Sequence, residues 1–210
     1  LGIFFGCALS IINSIQRGVY YTRSALVTDA NAELDLKIKS IKRLSRMSIS
    51  KIFAFISKHS VIVLDEAEIK LANKKLIYIF NSGGRPTAAN FARILAAQSA
   101  HSGRKVVLCD TTGQIENEAK DSTTRHASGL PILNINNNIS VMEGANGSSF
   151  FTSPNFNKTV KDLKTHFDQV FICSSGKNSN LGLMALEKFT PSLVLIAGLR
   201  STRKLEIRKI

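Results

Sequence analysis

Residues 76–80 read Leu-Ile-Tyr-Ile-Phe, an apolar run with no polar break. A strand with one wet face would alternate, so an unbroken run is the pattern of a strand buried on both faces, in a sheet covered by helices above and below. The turn Asn81-Ser82-Gly83-Gly84-Arg85-Pro86 comes next, and the pattern then predicts a helix over about 87–102. Pro86 suits its first turn, Phe91, Ile94, Leu95 and Gln98 lie on or near one face, and His101-Ser102-Gly103 ends it. Residues 105–110 read as the next buried strand, completing a strand–loop–helix–strand unit. Two more strands are expected at 169–173 and 192–197, with helices at about 156–166 and 180–189. The Asn-, Ser- and Gly-rich stretch 133–154 reads as a loop or edge hairpin rather than a site. The expected class is α/β, a P-loop-NTPase-like (Rossmann-like) and mainly parallel sheet flanked by helices.

With 210 residues the chain can form one sizeable domain and a smaller appendage. Hydrophobic residues at 44% against 20% charged ones exclude a disordered chain. Cys7, Cys109 and Cys173 lie far apart within apolar runs, without CxxC or Cys/His spacing. They read as small buried hydrophobes in a reducing compartment. The histidines are equally scattered, which argues against zinc. The net charge of +13 fits either nucleic-acid phosphates or an anionic membrane face. No basic patch interleaved with aromatics and no helix-turn-helix pattern supports nucleic acid.

The N-terminus favours the membrane. The chain starts without Met, as a fragment or processed chain would, and carries no charge before Arg17. Residues 1–16 are too few for a full span of roughly 20 apolar residues but suit the end of a transmembrane helix. A buried helix of a soluble domain is the plainer reading. Arg17 and Arg23, with Tyr20 and Tyr21 between them, make an interfacial anchor and place the downstream residues in the cytoplasm. Residues 17–62 read as a basic juxtamembrane spacer. Its helix, expected over 28–48, lies on anionic lipid, packs on a neighbouring subunit, or is an ordinary amphipathic helix with a solvated basic face. Within 52–64 two short apolar runs stand out, 52–56 and 61–64, and a charged, helix-like stretch continues to Lys75. Residues 63–210 are then the α/β domain.

A glycine-bearing loop between a first strand and a helix is the usual place to bind phosphate through backbone N–H groups and the helix dipole. A working P-loop, G-x-x-x-x-G-K-[ST], also needs its lysine and hydroxyl. Here the loop is short and has no Gly-Lys pair, and G-x-G-x-x-G fails as well. Ser82, Gly83, Gly84, Arg85 and Thr87 remain as anion contacts, with Arg85 in place of the lysine; a tight structural turn is the favoured reading. A second loop, Ser174-Ser175-Gly176-Lys177, would need Gly at Phe171 and Ser or Thr at Asn178 to be a P-loop. It reads as a polar strand-to-helix connection lining the same cleft. Asp110, at the end of its strand, is either the last of the nucleotide-site groups or a cap for the next turn.

The order of these parts, with Asn90-Phe91-Ala92, Gly103-Arg104-Lys105-Val106-Val107-Leu108-Cys109-Asp110 and Phe167-Asp168-Gln169-Val170-Phe171-Ile172-Cys173, resembles the cytoplasmic part of the bacterial tyrosine kinases and related polysaccharide co-polymerases (chain-length determinants). Against that family's motifs, the Walker A stretch is the shortened Ser82-Gly83-Gly84-Arg85-Pro86-Thr87. Of the motif D-x-D-x-R, Asp110 is kept, while Thr112 and Gln114 replace the second Asp and the Arg. The Walker B Asp falls on Cys173, and Ser174 and Ser175 stand where two prolines usually come after it. The tyrosine-rich tail is missing, with only Tyr20, Tyr21 and Tyr78 in the chain.

The resemblance implies a membrane-anchored regulatory or assembly component of exopolysaccharide or capsular polysaccharide biosynthesis and export. Its kinase-like ATPase domain has lost catalytic motifs and faces the cytoplasm at the bacterial inner membrane. Implied partners are further copies of the chain, polysaccharide polymerase and export proteins, and the anionic lipid face, but not nucleic acid. No catalytic residue, metal or cofactor is expected; ATP and Mg²⁺ enter only if the site still works. The alternative is a divergent active ATPase or protein tyrosine kinase using Arg85 and Lys177.

Overall fold

The computed structural model describes residues 47–59, 65–81, 87–113, 132–142, 145 and 147–196. In chain order these form α1 (Ile49–His59), α2 (Asp65–Leu71), β1 (Leu76–Asn81), α3 (Thr87–His101), β2 (Val106–Asp110), β3 (Ile132–Asn134), β4 (Ile139–Met142), α4 (Gly147–Thr152), α5 (Phe156–His166), β5 (Gln169–Ser175), α6 (Lys177–Leu186), a 3₁₀ turn at Glu187–Phe189, and β6 (Ser192–Ile196). The N-terminal apolar stretch, most of the basic spacer and the apolar run 61–64 lie outside the described residues. So does the helix expected over 28–48, apart from Met47 and Ser48, which precede α1. Among the described residues no helix is long and apolar enough to cross a membrane.

The six strands form one sheet in the order β3-β4-β2-β5-β1-β6, parallel except for the antiparallel β3. Every residue of β1 and β2 is buried, as their unbroken apolar runs require. Alternate side chains enter different layers. Ile77, Ile79, Val106, Leu108, Phe171 and Cys173 pack with α1 and α3. Tyr78, Phe80, Val107, Cys109, Val170 and Ile172 pack with α4, α5 and α6.

Helix α3 differs from the one-sided helix its sequence suggested: Ala88, Ala89, Phe91, Ala92, Ile94, Leu95, Ala96, Ala97 and Ala100 are all buried. The sheet covers one side of α3, and α1 lies against it from the other. The covering face of α1 is Ile49, Ile52 and Ile56, spaced at three and four residues, while Lys51, Ala54, Ser57 and Lys58 are exposed. Ser48 caps α1, its Oγ accepting from the Lys51 N–H at 3.4 Å. At the other end of α3, Gly103 takes a positive φ of 89° and closes a glycine-type helix end, with Gly103 N donating to Ala100 O at 3.0 Å. There Glu68 of α2 accepts from Gln98 Nε2 at 2.6 Å, from Ser102 Oγ and from Arg104 Nη1 at 3.2 Å.

The polar stretch 133–154 does contain an edge hairpin, β3–β4, and β4 also pairs with β2. It contains a helix as well. The six residues of α4 are too few to show periodicity, and α4 is held by Phe150 and Phe151, which form an aromatic cluster with Phe156 at ring separations of 5.3–5.8 Å.

Helix α6 lies close over β1 because it has a glycine where it crosses Tyr78. A Cβ on Gly182 would overlap the Tyr78 hydroxyl, lie 2.5 Å from its Cζ and 2.9 Å from Phe151 Cζ. Gly182→Ala is therefore expected to lower stability by about 1–3 kcal/mol, the usual cost of overpacking, although alanine is the better helix former. Urea unfolding of the two proteins measures the difference.

Candidate functional site

Chain direction in the sheet reverses. From β1 it runs past β5 to β2 and β4, and afterwards back to β5 and β6. Because parallel crossovers are right-handed, the reversal sends the connecting helices to opposite faces. Helix α3, after β1, lies on one face, and α6, after β5, on the other. The neighbouring strands β1 and β5 thus part company at their carboxyl ends, and this is where open α/β sheets bind ligands.

The structure brings together at this edge the last residue of β1, Asn81, the last of β2, Asp110, and residues 173–175 of β5. Of the residues singled out from sequence, Asp110 stands in this edge and Thr87 is the first residue of α3. Ser82, Gly83, Gly84 and Arg85 lie outside the described residues.

Asp110 and Cys173 are paired in the β2–β5 register. Their side chains meet on the α3 face, where the Cys173 thiol donates to Asp110 Oδ1 at 3.2 Å. The same oxygen accepts from the Thr112 N–H at 2.9 Å and the Thr112 hydroxyl at 2.6 Å. Asp110 therefore does cap the turn after its strand, the plainer of its two readings. Thr111 fastens the strands further, its N–H and Oγ donating to the Cys173 carbonyl at 3.0 and 2.9 Å. Thr112 thus belongs to the site as a donor of two hydrogen bonds.

Cys173 is buried but is more than a small hydrophobe. Burial pushes its thiol well above the ordinary range; the Asp110 charge and the hydrogen bond to it push the same way, and Arg93 opposes them. The thiol is accordingly protonated at neutral pH and donates. These donors do not fit Mg²⁺, which prefers hard oxygens: one carboxylate oxygen already accepts three hydrogen bonds, and beside it sits a neutral sulfur. Among the described residues no group of three His, Cys, Asp or Glu side chains could hold a metal ion.

On the opposite face a hydroxyl network closes the strand ends. The Tyr78 hydroxyl pairs with Ser174 Oγ and donates to the Ser179 carbonyl at 2.9 Å, while Ser179 Oγ donates to the Asn81 carbonyl at 2.9 Å. Gly176, with φ 59° and ψ −131°, makes the turn from β5 into α6 in a conformation reserved for glycine. The second loop is therefore a strand-to-helix connection at this edge, as its sequence suggested. The sequence marked Ser174 as a missing proline and as part of that connection, and gave no sign that Tyr78 and Ser179 join it.

The raised thiol implies an alkaline weakness. A group whose folded pKa lies above its unfolded value stabilises fully below the unfolded value and less as pH rises past it. For thiols that loss begins near pH ~8.5. Cys109 is raised in the same direction, by burial and then by Asp110. Cys173→Ser keeps a donor that does not titrate. Its stability should fall less steeply above pH ~8.5, by up to about 1.4 kcal/mol per pH unit. Urea midpoints measured across the alkaline range report the slopes.

No family model and no curated protein matches the sequence. Solved structures do. The chimerical protein CapA2B2 is 16% identical, with TM-score 0.60 over 90% of this chain and 90% of that one. The BceF tyrosine kinase domain is 17% identical, with TM-score 0.55 over 91% of each chain. The VpsO kinase domain is 12% identical, with TM-score 0.52 over 77% of this chain and 84% of its own. At these identities the likeness concerns the fold, and at that level the resemblance read from the motifs holds: the chain has the fold of bacterial tyrosine kinase domains.

Proposed function

We propose that this chain is a membrane-anchored regulatory or assembly component of exopolysaccharide or capsular polysaccharide biosynthesis and export, with a kinase-like domain that has lost its catalytic groups. The observation that carries the reading is the Asp110–Cys173 pair: where the motif would place a second strand-end acid, a neutral thiol donates to the first at 3.2 Å. Phosphoryl transfer relies on positioning the phosphates and screening their charge with cations. One carboxylate engaged by Thr112 and Cys173 offers neither. The kinase-type fold supports descent from an ATP-using scaffold, and the motifs Asn90-Phe91-Ala92 and Gly103–Asp110 support the polysaccharide link through the family they resemble.

In this reading the domain acts through contacts with further copies of the chain and with polymerase or export proteins. It is held at the cytoplasmic face of the bacterial inner membrane by the upstream apolar and basic segments. The net charge of +13 supports apposition to anionic lipid.

The purified chain, titrated with ATP and Mg²⁺ in a calorimeter and assayed for phosphate release and phosphotyrosine, is expected to give no saturable binding and no turnover. Low-micromolar ATP binding with Mg²⁺-dependent hydrolysis, both lost in Asp110→Ala, would sink the proposal and favour a divergent active enzyme. Co-sedimentation with anionic vesicles but not with neutral ones is the result expected for the membrane assignment.

A further inference from the structure

We propose that the edge of the sheet formed by the amino ends of β1, β2 and β5 is the surface that lies against anionic lipid. The inference rests on the proposed attachment to the membrane and adds which side of the domain faces it. The parallel register sets the starts of the three strands within one residue of level, with Leu76 opposite Val170 and Val106 opposite Gln169. Lys75 and Lys105 immediately precede β1 and β2. They therefore stand on either side of the β5 start, about 10 Å apart at the usual strand spacing. Backbone bonds fix both, with Lys75 O accepting from Val170 N at 2.9 Å and Lys105 O from Asp168 N at 2.8 Å.

The loops 73–75, 102–105 and 166–168 hold four cations, Lys74, Lys75, Arg104 and Lys105, against one acid, Asp168. Asp168 Oδ2 is turned to the Lys105 N–H at 2.8 Å, and Arg104 pairs with Glu68 of α2 at 3.2 Å. Lys74, Lys75 and Lys105 are exposed. None of the three lies in the last turn of a helix, where a basic residue would answer the helix dipole. The carboxyl ends of the same strands carry Asn81, Asp110 and Ser175 instead. No exposed side chain in these loops is apolar. Protein interfaces have an apolar centre and are poor in lysine, so this edge does not suit a protein partner. A level row of ammonium groups does suit a plane of anionic headgroups, which attracts each lysine held near it.

Lysine acetylation of the full chain, read residue by residue by mass spectrometry, tests the inference. The chain is labelled free, on phosphatidylcholine vesicles, and on vesicles that also contain phosphatidylglycerol. On the anionic vesicles Lys74, Lys75 and Lys105 should react at least about threefold more slowly than in solution. Lys51 and Lys158, in the first turns of α1 and α5 and away from the helix ends that reach this edge, should keep their solution rates. The protection should vanish in molar NaCl, where the screening length is about 3 Å. Edge lysines that react at their solution rate while the chain sediments with the anionic vesicles overturn this inference alone, and leave the edge to an acidic protein. Equal protection of Lys51 and Lys158, or protection that survives the salt, overturns it as well. A chain that sediments with neither kind of vesicle overturns the membrane reading and this inference together.

Discussion

Strand β5 enters the sheet between β1 and β2, with helices packed on both faces, so nearly all of its side chains lie in one of two closed layers. Its odd positions, Phe171 and Cys173, go to the α1–α3 side, and its even ones, Val170 and Ile172, to the α4–α6 side. That position makes the rest of the fold consistent. It forces β1 and β2 apart, sets the reversal of chain direction that opens the cleft, and brings Cys173 level with Asp110 across one pairing and with Ile79 across the other. A slip of one residue would send Cys173 to the other face and bring Ser174 beneath α3, exchanging a polar network for an apolar layer.

The parts of this architecture that were legible in the sequence are those whose signal is local. Leu-Ile-Tyr-Ile-Phe names a doubly covered strand without help from the rest of the chain, and Gly103 marks the end of α3 because its backbone needs a positive φ. The surroundings of α3 were less legible: six alanines among its core residues allow a close approach from any side, and only the position of α1 shows that both sides are used. The polar run Gly147-Ser148-Ser149 hid a helix whose stability comes from Phe150 and Phe151 meeting the rings of Phe156 and Tyr78. At the cleft, Asp110 and Cys173 could each be named from their motifs, but their hydrogen bond spans 63 positions in the chain and depends on strand register.

At the strand ends several polar groups bind one another. On one face a carboxylate is held by a thiol, a hydroxyl and an amide. On the other, tyrosine and serine hydroxyls tie β1, β5 and α6 together. Such hydrogen bonding rigidifies the ends of β1, β2 and β5.

The burial of Tyr78 bears on phosphate in a different way. The chain has three tyrosines, and this one is fully enclosed, its hydroxyl against Ser174 and Ser179 with α6 crossing above at Gly182. A dianionic ester on that oxygen would have no room, so the folded domain offers no acceptor there. Of the tyrosines within residues 1–210, phosphate would therefore be carried by Tyr20 or Tyr21 rather than by Tyr78.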